Sequence, residues 1–521
     1  MRKSIFNLLT LFLSVSLAFT ACSEENDKLV TGVSLNVTTL ELTVGKTSQL
    51  TATVLPETAE NKNVAWSSSN TAIATVSETG LVTAVKIGTA AITATTAEGA
   101  KTAVCNLTVG AKPAINVTGN IAANTTWTAD KVYILDGPVY VKESATLTIE
   151  PGTLIKGKKA SVRPALIIER GAKIMANGTK ELPIVFTSDQ PKGQRASGDW
   201  GGIIICGKAK INVVGGEAEI EGGIGSKYGG TDDNDNSGTM RYVRIEFPGI
   251  PFEPNKEING LTLGGVGKGT ILEYIQVSFS GDDSFEWFGG SVNAKYIVAH
   301  RGIDDDFDTD YGYSGYVQYA VSLRDPNLAD AAGDSNGFES DNDSGGSTNT
   351  PFTSATFSNV SVFGPVSTPE ATYNAKYNTA ARLRRNTQLK LHNMVFAGFP
   401  YGLLIEGPSQ AAYTAGSLVI KNSILGGNKA DYKDDTYLES TVFENADNAN
   451  RKFATNDALM LNSPYNLTAP NFMPKSGSPL LSGASFTGLP AFFKAETFVG
   501  AFGLSNWTEG WTNFDPQNTD Y

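Results

Sequence analysis

Ser284-Phe285-Glu286-Trp287-Phe288, Asp306-Phe307-Asp308-Thr309-Asp310 and Gly337-Phe338-Glu339-Ser340-Asp341 are three copies of one acidic, aromatic motif. The first two Phe are 22 residues apart and the third follows 31 later, so a rung of about 22 residues with one loop insertion accounts for all three. A repeat of that length predicts a solenoid of stacked parallel strands, in which Glu286, Asp308 and Glu339 form a column with a step of about 4.8 Å. Residues two apart share a strand face, so Glu286, Asp308, Asp310, Glu339 and Asp341 are expected to point outward and Phe285, Phe307 and Phe338 inward. Something must offset the like charge of that column.

The repeat extends both ways along the chain. Upstream, Thr146–Ile155 is echoed 19 residues later by Ala165–Ile174, and Pro183–Ser188 and Trp200–Ile205 add short apolar strands with Gly at corners. A second column is led by Tyr242, Tyr274, Tyr296 and Tyr319, and its leading residue becomes Asn at Asn359, Asn393 and Asn422. Stacked Asn at a turn tolerate left-handed backbone and pass amide hydrogen bonds from rung to rung, so this column reads as structural. The β-branched runs disfavour an α-solenoid. The expected class is all-β, with a right-handed parallel β-helix over residues 113–521 whose aromatic tail caps the last rung.

Residues 31–110 have a different texture, with short alternating segments separated by turn residues at the spacing of a β-sandwich. Through Thr51–Pro56, Val64–Asn70, Ala72–Val76, Gly80–Ala84 and Gly88–Ala90 this stretch resembles the bacterial Ig-like group 2 domain. That resemblance implies a spacer on a surface protein. From Thr148-Ile149-Glu150-Pro151-Gly152 through Trp200-Gly201-Gly202, Gly477–Leu481 and Phe498–Gly503 to Trp507–Pro516, residues 113–521 resemble pectin-lyase-like β-helices, and in particular β-helical surface lipoproteins of the Bacteroides group. This likeness implies a fold and an address without an activity.

Residues 1–21 carry Arg2 and Lys3, an apolar run from Ile5 to Phe19 and small residues before Cys22, which reads as an export signal too short to span a membrane. Leu17–Cys22 resembles a lipobox, which implies a lipid on Cys22, and Ser23–Asp27 in the tether 22–30 resembles the acidic tag of surface-exposed lipoproteins. The expected location is the outer membrane, lipid-anchored and facing outward. With 521 residues, 54 Gly and a net charge of -12, the chain has room for two domains, and its acidity argues against nucleic acid as a partner. Cys105 and Cys206 each sit in an apolar strand-like run of a different domain, so buried free thiols are expected.

Three readings of the acidic column compete. In the first, Glu286, Asp308, Asp310, Glu339 and Asp341 bind calcium, a hard cation that takes oxygen ligands. In the second, Arg301, Arg324, Arg382, Arg384 and Arg385 neutralise the column without metal. In the third the face is catalytic. Its residues are then Asp308 with Arg385 or Arg384, the latter two placed by matching Leu383 and Arg385 to the motif, and Trp287, Arg301 and Arg324 contact substrate. Pectate lyases of this fold imply such a calcium-and-arginine arrangement, although an Arg is a poor base unless its pKa is lowered. A carboxylate pair running an inverting hydrolysis is the other catalytic form. His300 and His392, the chain's only histidines, lie in predicted strands without a nucleophile elbow. Gly222–Gly230 with Asp232–Asn236 lacks a phosphate-loop Lys and reads as an exposed loop with a second calcium site. The functions that follow are binding of a glycan or a cell-surface protein partner, a polysaccharide lyase or glycoside hydrolase, or an adhesin.

Overall fold

The computed structural model describes residues 28–253, 256–433 and 439–521, so the export signal and Cys22 lie outside the described residues. The chain divides into two compact units between Lys112 and Pro113.

The first unit is a β-sandwich. One sheet runs in the order Thr39–Thr43, Thr102–Gly110, Gly88–Thr96, Val64–Ser68, and it faces a smaller sheet of Thr47–Gln49, Leu81–Ala84 and Ala74–Val76. Leu50, Val82, Ile92, Cys105 and Leu107 fill the space between them. The run Gln49–Val54, which alternates like one strand, is broken into Thr47–Gln49 and Ala52–Leu55 because Leu50 turns into the core and its amide bonds the Gly80 carbonyl. Gly80 has φ +84°, and a Cβ there would lie 2.5 Å from the Leu50 carbonyl oxygen, so the turn requires glycine.

The second unit is a parallel β-helix. Among the described residues, 25 strands join in one continuous sheet whose rung-to-rung pairings are parallel. The motif strands stack as the repeat predicts, with Leu261, Phe285, Phe307, Phe338 and Ala381 in one column and Thr262, Glu286, Asp308, Glu339 and Arg382 in the next. Phe285, Phe307 and Phe338 stack inside the helix at centroid distances of 5.9 and 5.1 Å. The Tyr and Asn column marks a bend within each long strand. Tyr242, Tyr274, Tyr296, Tyr319, Asn359, Asn393 and Asn422 all have φ between 50 and 64°. The four Tyr rings stack at 4.4, 4.4 and 4.8 Å, so ring packing offsets the cost of left-handed backbone there.

Three expectations are corrected. The 19-residue echo is not a rung, since Thr146 pairs with Lys173 and Ala165 with Gly202; each rung holds several strands of similar pattern, and the echo matched Thr146–Ile149 with Ala165–Ile168, two strands further on. The Asn amides do not bond one another up the column. Asn393 and Asn422 donate to the carbonyls of Ser485 and Gly483 and Asn359 to that of Phe498, so they hold the tail, while the rung-to-rung bonds run to other residues, Gln318 donating its amide to Asn359 Oδ1 and Asn393 donating to Ser358 Oγ.

The tail itself is not a cap. The end of the helix is closed by two short helices, α1 (Pro408–Thr414) and α2 (Glu439–Glu444), which bury Ala412, Val442 and Phe443 in the helix core. Residues from Pro479 onward run back along the side of the rungs, from Arg451 past Asn393, Gln318 and Gln276 to Arg195 and Lys156. Phe472, Leu480, Val499, Phe502 and Trp511 form a second core against Val298, Val321, Phe363 and Val395, and Gly477–Gly503 form no rung of the sheet.

Candidate functional site

The acidic face is built by two neighbouring columns. At the corner before each motif strand, the carboxylate of one rung accepts the backbone amide of the next. Asp305 donates its N–H to Asp283 Oδ1 at 2.8 Å, and Asn336 donates to Asp305 Oδ1 at 2.6 Å. One strand position further on, Glu286, Asp308 and Glu339 stack in register. Asn259, one rung above, donates its side-chain amide to Glu286.

These columns converge. Three overlapping triads, Asp282/Asp283/Asp304, Asp283/Glu286/Asp308 and Asp305/Asp308/Glu339, each bring one oxygen per residue to within 4.8 Å of the others. Asp283 and Asp308 are shared between triads. Asp308 Oδ1 is buried with no hydrogen-bond partner. Among the described residues no ion pair reaches Asp283, Glu286, Asp304 or Asp308.

The electrostatics follow. Burial first, and then the neighbouring carboxylates, hold Asp283, Glu286, Asp304 and Asp308 well above the usual carboxylate range. Burial likewise pushes Asp310 and Glu339 up to about 8, even though arginines lie close to both. Such a face must be discharged by protons or by a cation.

Arginine ends the column, but not in the expected register. Arg382 stands opposite Glu339 and Leu383 opposite Ser340, a register that the loop between Ser340 and Thr379 hides from the sequence. Arg384 Nε bonds Asp341 Oδ1 at 2.9 Å and its Nη2 meets Glu339; Arg385 Nη1 bonds Asp341 Oδ2 at 2.8 Å. The carboxylates hold Arg384 above its ordinary pKa against the effect of burial, the reverse of what a general base needs. Asp341 is therefore engaged by guanidinium groups at the lower edge.

Neither Arg301 nor Arg324 is available to the face as a substrate contact. Arg324 is fully buried and bonds Asp306 Oδ1 at 2.8 Å, and Arg301 Nε bonds Asp325 Oδ2 at 3.0 Å. Trp287, also expected at the substrate, points inward and stacks on Tyr313 at 5.3 Å, as strand alternation from Glu286 requires. His300 is buried under the tail between Phe279 and Phe514, and its Nε2 bonds the Leu467 carbonyl. Burial depresses it to about 3, so it is a neutral core residue. Asp233 pairs with Lys210, and Asp235 accepts from Ser237, which leaves no carboxylate triad in the Asp232–Asn236 loop among the described residues.

The ligand set read from the motif omitted Asp283, Asp304 and Asp305. Their signal was the Asp282-Asp283 pair before Phe285 and the Asp304–Asp306 triplet before Phe307, with Asn336 in the same place before Phe338, legible as a corner column once the rung is known. Cys105 and Cys206 are buried free thiols.

Comparison with known proteins adds two domain assignments. Residues 119–512 match the family described as pectate-lyase like beta helix domain, and residues 29–107 match the bacterial Ig-like domain, group 2. An Ig-like virion protein of Serratia phage KSP90 is 49% identical over 81 residues, 15% of this chain and 31% of the relative. An alpha-L-arabinofuranosidase of Bifidobacterium longum is 45% identical over 80 residues, 15% of this chain and 8% of the relative. An uncharacterised protein of Clostridium acetobutylicum is 38% identical over 99 residues, and the chain spans 25% of its length.

Proposed function

The chain belongs to the family of pectate-lyase-like beta helix domains, and on that footing we propose that it is a surface-displayed carbohydrate-binding protein whose acidic face takes calcium. The observation that carries this reading is the set of overlapping carboxylate triads with, among the described residues, no ion pair at Asp283, Glu286, Asp304 or Asp308. The donor set fits a hard cation. It is all oxygen, and two oxygens on opposite sides of a calcium ion lie about 4.8 Å apart, the outer limit within each triad. Glu286, Asp308, Asp283 and Asp305 would supply the first oxygens, with Asp310 and Glu339 beside them, while Arg382 and Arg384 close the lower edge. Bound there, calcium would supply a positive centre that the carboxylate or hydroxyl oxygens of a glycan can join.

A carbohydrate role also suits the relatives that carry similar segments, among them an alpha-L-arabinofuranosidase and a lacto-N-biosidase, although the shared stretch is 8% and 6% of their lengths. The export signal, Cys22 and the acidic tether support anchoring of the chain to the outer membrane by lipid, with the Ig-like unit as spacer. A cell-surface protein partner is the other occupant that this face would suit.

A second reading, a polysaccharide lyase or glycoside hydrolase, draws on Asp310 and Glu339, because a carboxyl group pushed up to about 8 keeps the proton that a general acid donates. One assay separates the two. Immobilised protein is offered acidic and neutral glycans with calcium or chelator, alongside Asp308→Ala. Calcium-dependent retention, lost in the variant and without new reducing ends or unsaturated-uronate absorbance, is the expected result. Product formation lost in Asp308→Ala replaces binding by catalysis, and retention indifferent to calcium overturns the proposal.

A further inference from the structure

The face carrying the rung positions just before the Tyr and Asn column has the opposite chemistry from the acidic face. On three successive rungs the outward residues are Thr356 and Ser358, then Lys390 and His392, then Val419 and Lys421. Tyr316 continues the first column one rung above. The tail crosses here as Thr487-Gly488-Leu489-Pro490, which carries no charge, and closes one side of a cavity of about 370 Å³ lined by Ser314, Tyr316, Thr356, Lys390, His392 and Thr487.

Among the described residues no carboxylate lines this cavity. Among the described residues Lys390, His392 and Lys421 make no ion pair, in a protein whose net charge is -12. Burial alone lowers Lys390, with no countercharge to hold it up, and burial with the two lysines depresses His392 to about 4. Lys390 Nζ donates one proton to the Ser354 carbonyl at 3.2 Å and has two more to give. An unneutralised, half-buried ammonium group beside hydroxyls and a neutral imidazole is the complement of an oxyanion.

We propose that the cavity between Tyr316, Thr356, Lys390, His392 and the Thr487–Pro490 crossing binds an oxyanion, as free sulfate or as the sulfate or carboxylate group of a sugar. Lys390 supplies the charge, Lys421 adds to it from the next rung, and the Thr356 and Thr487 hydroxyls with the His392 ring complete the hydrogen bonds. The site uses none of the acidic-face residues and stands whether or not those bind calcium.

The test uses the full chain at constant ionic strength, with sodium sulfate, glucose 6-sulfate and glucuronate each replacing chloride, and follows the melting temperature and binding heat. At least one of the three gives a saturable response that falls at least tenfold in affinity in Lys390→Gln. Lys421→Gln, a change outside the cavity lining at the position opposite His392 on the next rung, weakens it in the same direction, which covers the case of misfolding in the first variant. Response to the sugars alone assigns the group to a glycan, and an equal response to sodium sulfate assigns it to the free ion. No response beyond that of chloride, or a response unchanged in both variants, overturns the proposal.

Discussion

Asp308 is the residue on which the acidic face turns, since it belongs to two triads and keeps a buried oxygen without a partner. Asp308→Asn removes a charge from a crowded site, so in chelator the variant should melt at or above the wild-type temperature, while its gain on adding calcium should fall sharply. Thermal denaturation in both buffers reads this directly. The elevated carboxylates also set a pH dependence. With folded values near 8 for Asp310 and Glu339 and an ordinary value near 4 in the unfolded chain, the native state holds more protons between those limits. Stability of the metal-free protein should therefore fall as pH rises from about 4 to 8, and calcium should flatten the decline. Stability that rises across that window in chelator would count against the assignment. Arg324 makes the contrasting case, for its fully buried pair with Asp306 leaves a buried charge when broken. Arg324→Met should cost about 3–5 kcal/mol in denaturant unfolding in the presence of chelator.

Elements explain what the sequence made legible and what it hid. The 22-residue motif spacing identified the rung, the inward Phe column and the outward carboxylates, because those follow from strand alternation alone. The same alternation places Trp287 inside, away from any substrate on the acidic face. Register failed where a loop intervened. Arg382 follows Glu339 and Leu383 follows Ser340, and the residues between Ser340 and Thr379 carry no periodic mark of where the next rung resumes. The tail was hidden for another reason. Gln276 pairs by its amide with both the N–H and carbonyl of Asn513, Gln318 does so with Lys494, and Asn393 with Ser485. Such contacts read backbone and leave no side-chain pattern. Gln318→Ala removes two of these bonds and strands backbone groups under the tail, so it should lower stability by about 1–3 kcal/mol in a denaturant titration. Loss of 0.3 kcal/mol or less would mean that the apolar contacts of Phe472, Val499 and Phe502 alone hold the tail.

At the scale of the whole molecule, a β-sandwich unit precedes a β-helix that carries charge of opposite sign on two faces, one carboxylate-rich and one holding Lys390, His392 and Lys421. If Cys22 bears the anchoring lipid, Cys22→Ser should move the protein from the detergent phase to the aqueous phase on partitioning, with the melting curve of the β-helix unchanged. The most direct test of the central claim is a calcium titration of the melting temperature at pH 8, with magnesium and chelator as references. The ladder predicts a saturable rise with calcium, worth about 2.7 kcal/mol at a hundredfold excess over the dissociation constant, and its near-absence in Asp308→Asn. A melting temperature indifferent to calcium and chelator, or an equal rise in the variant, would contradict it.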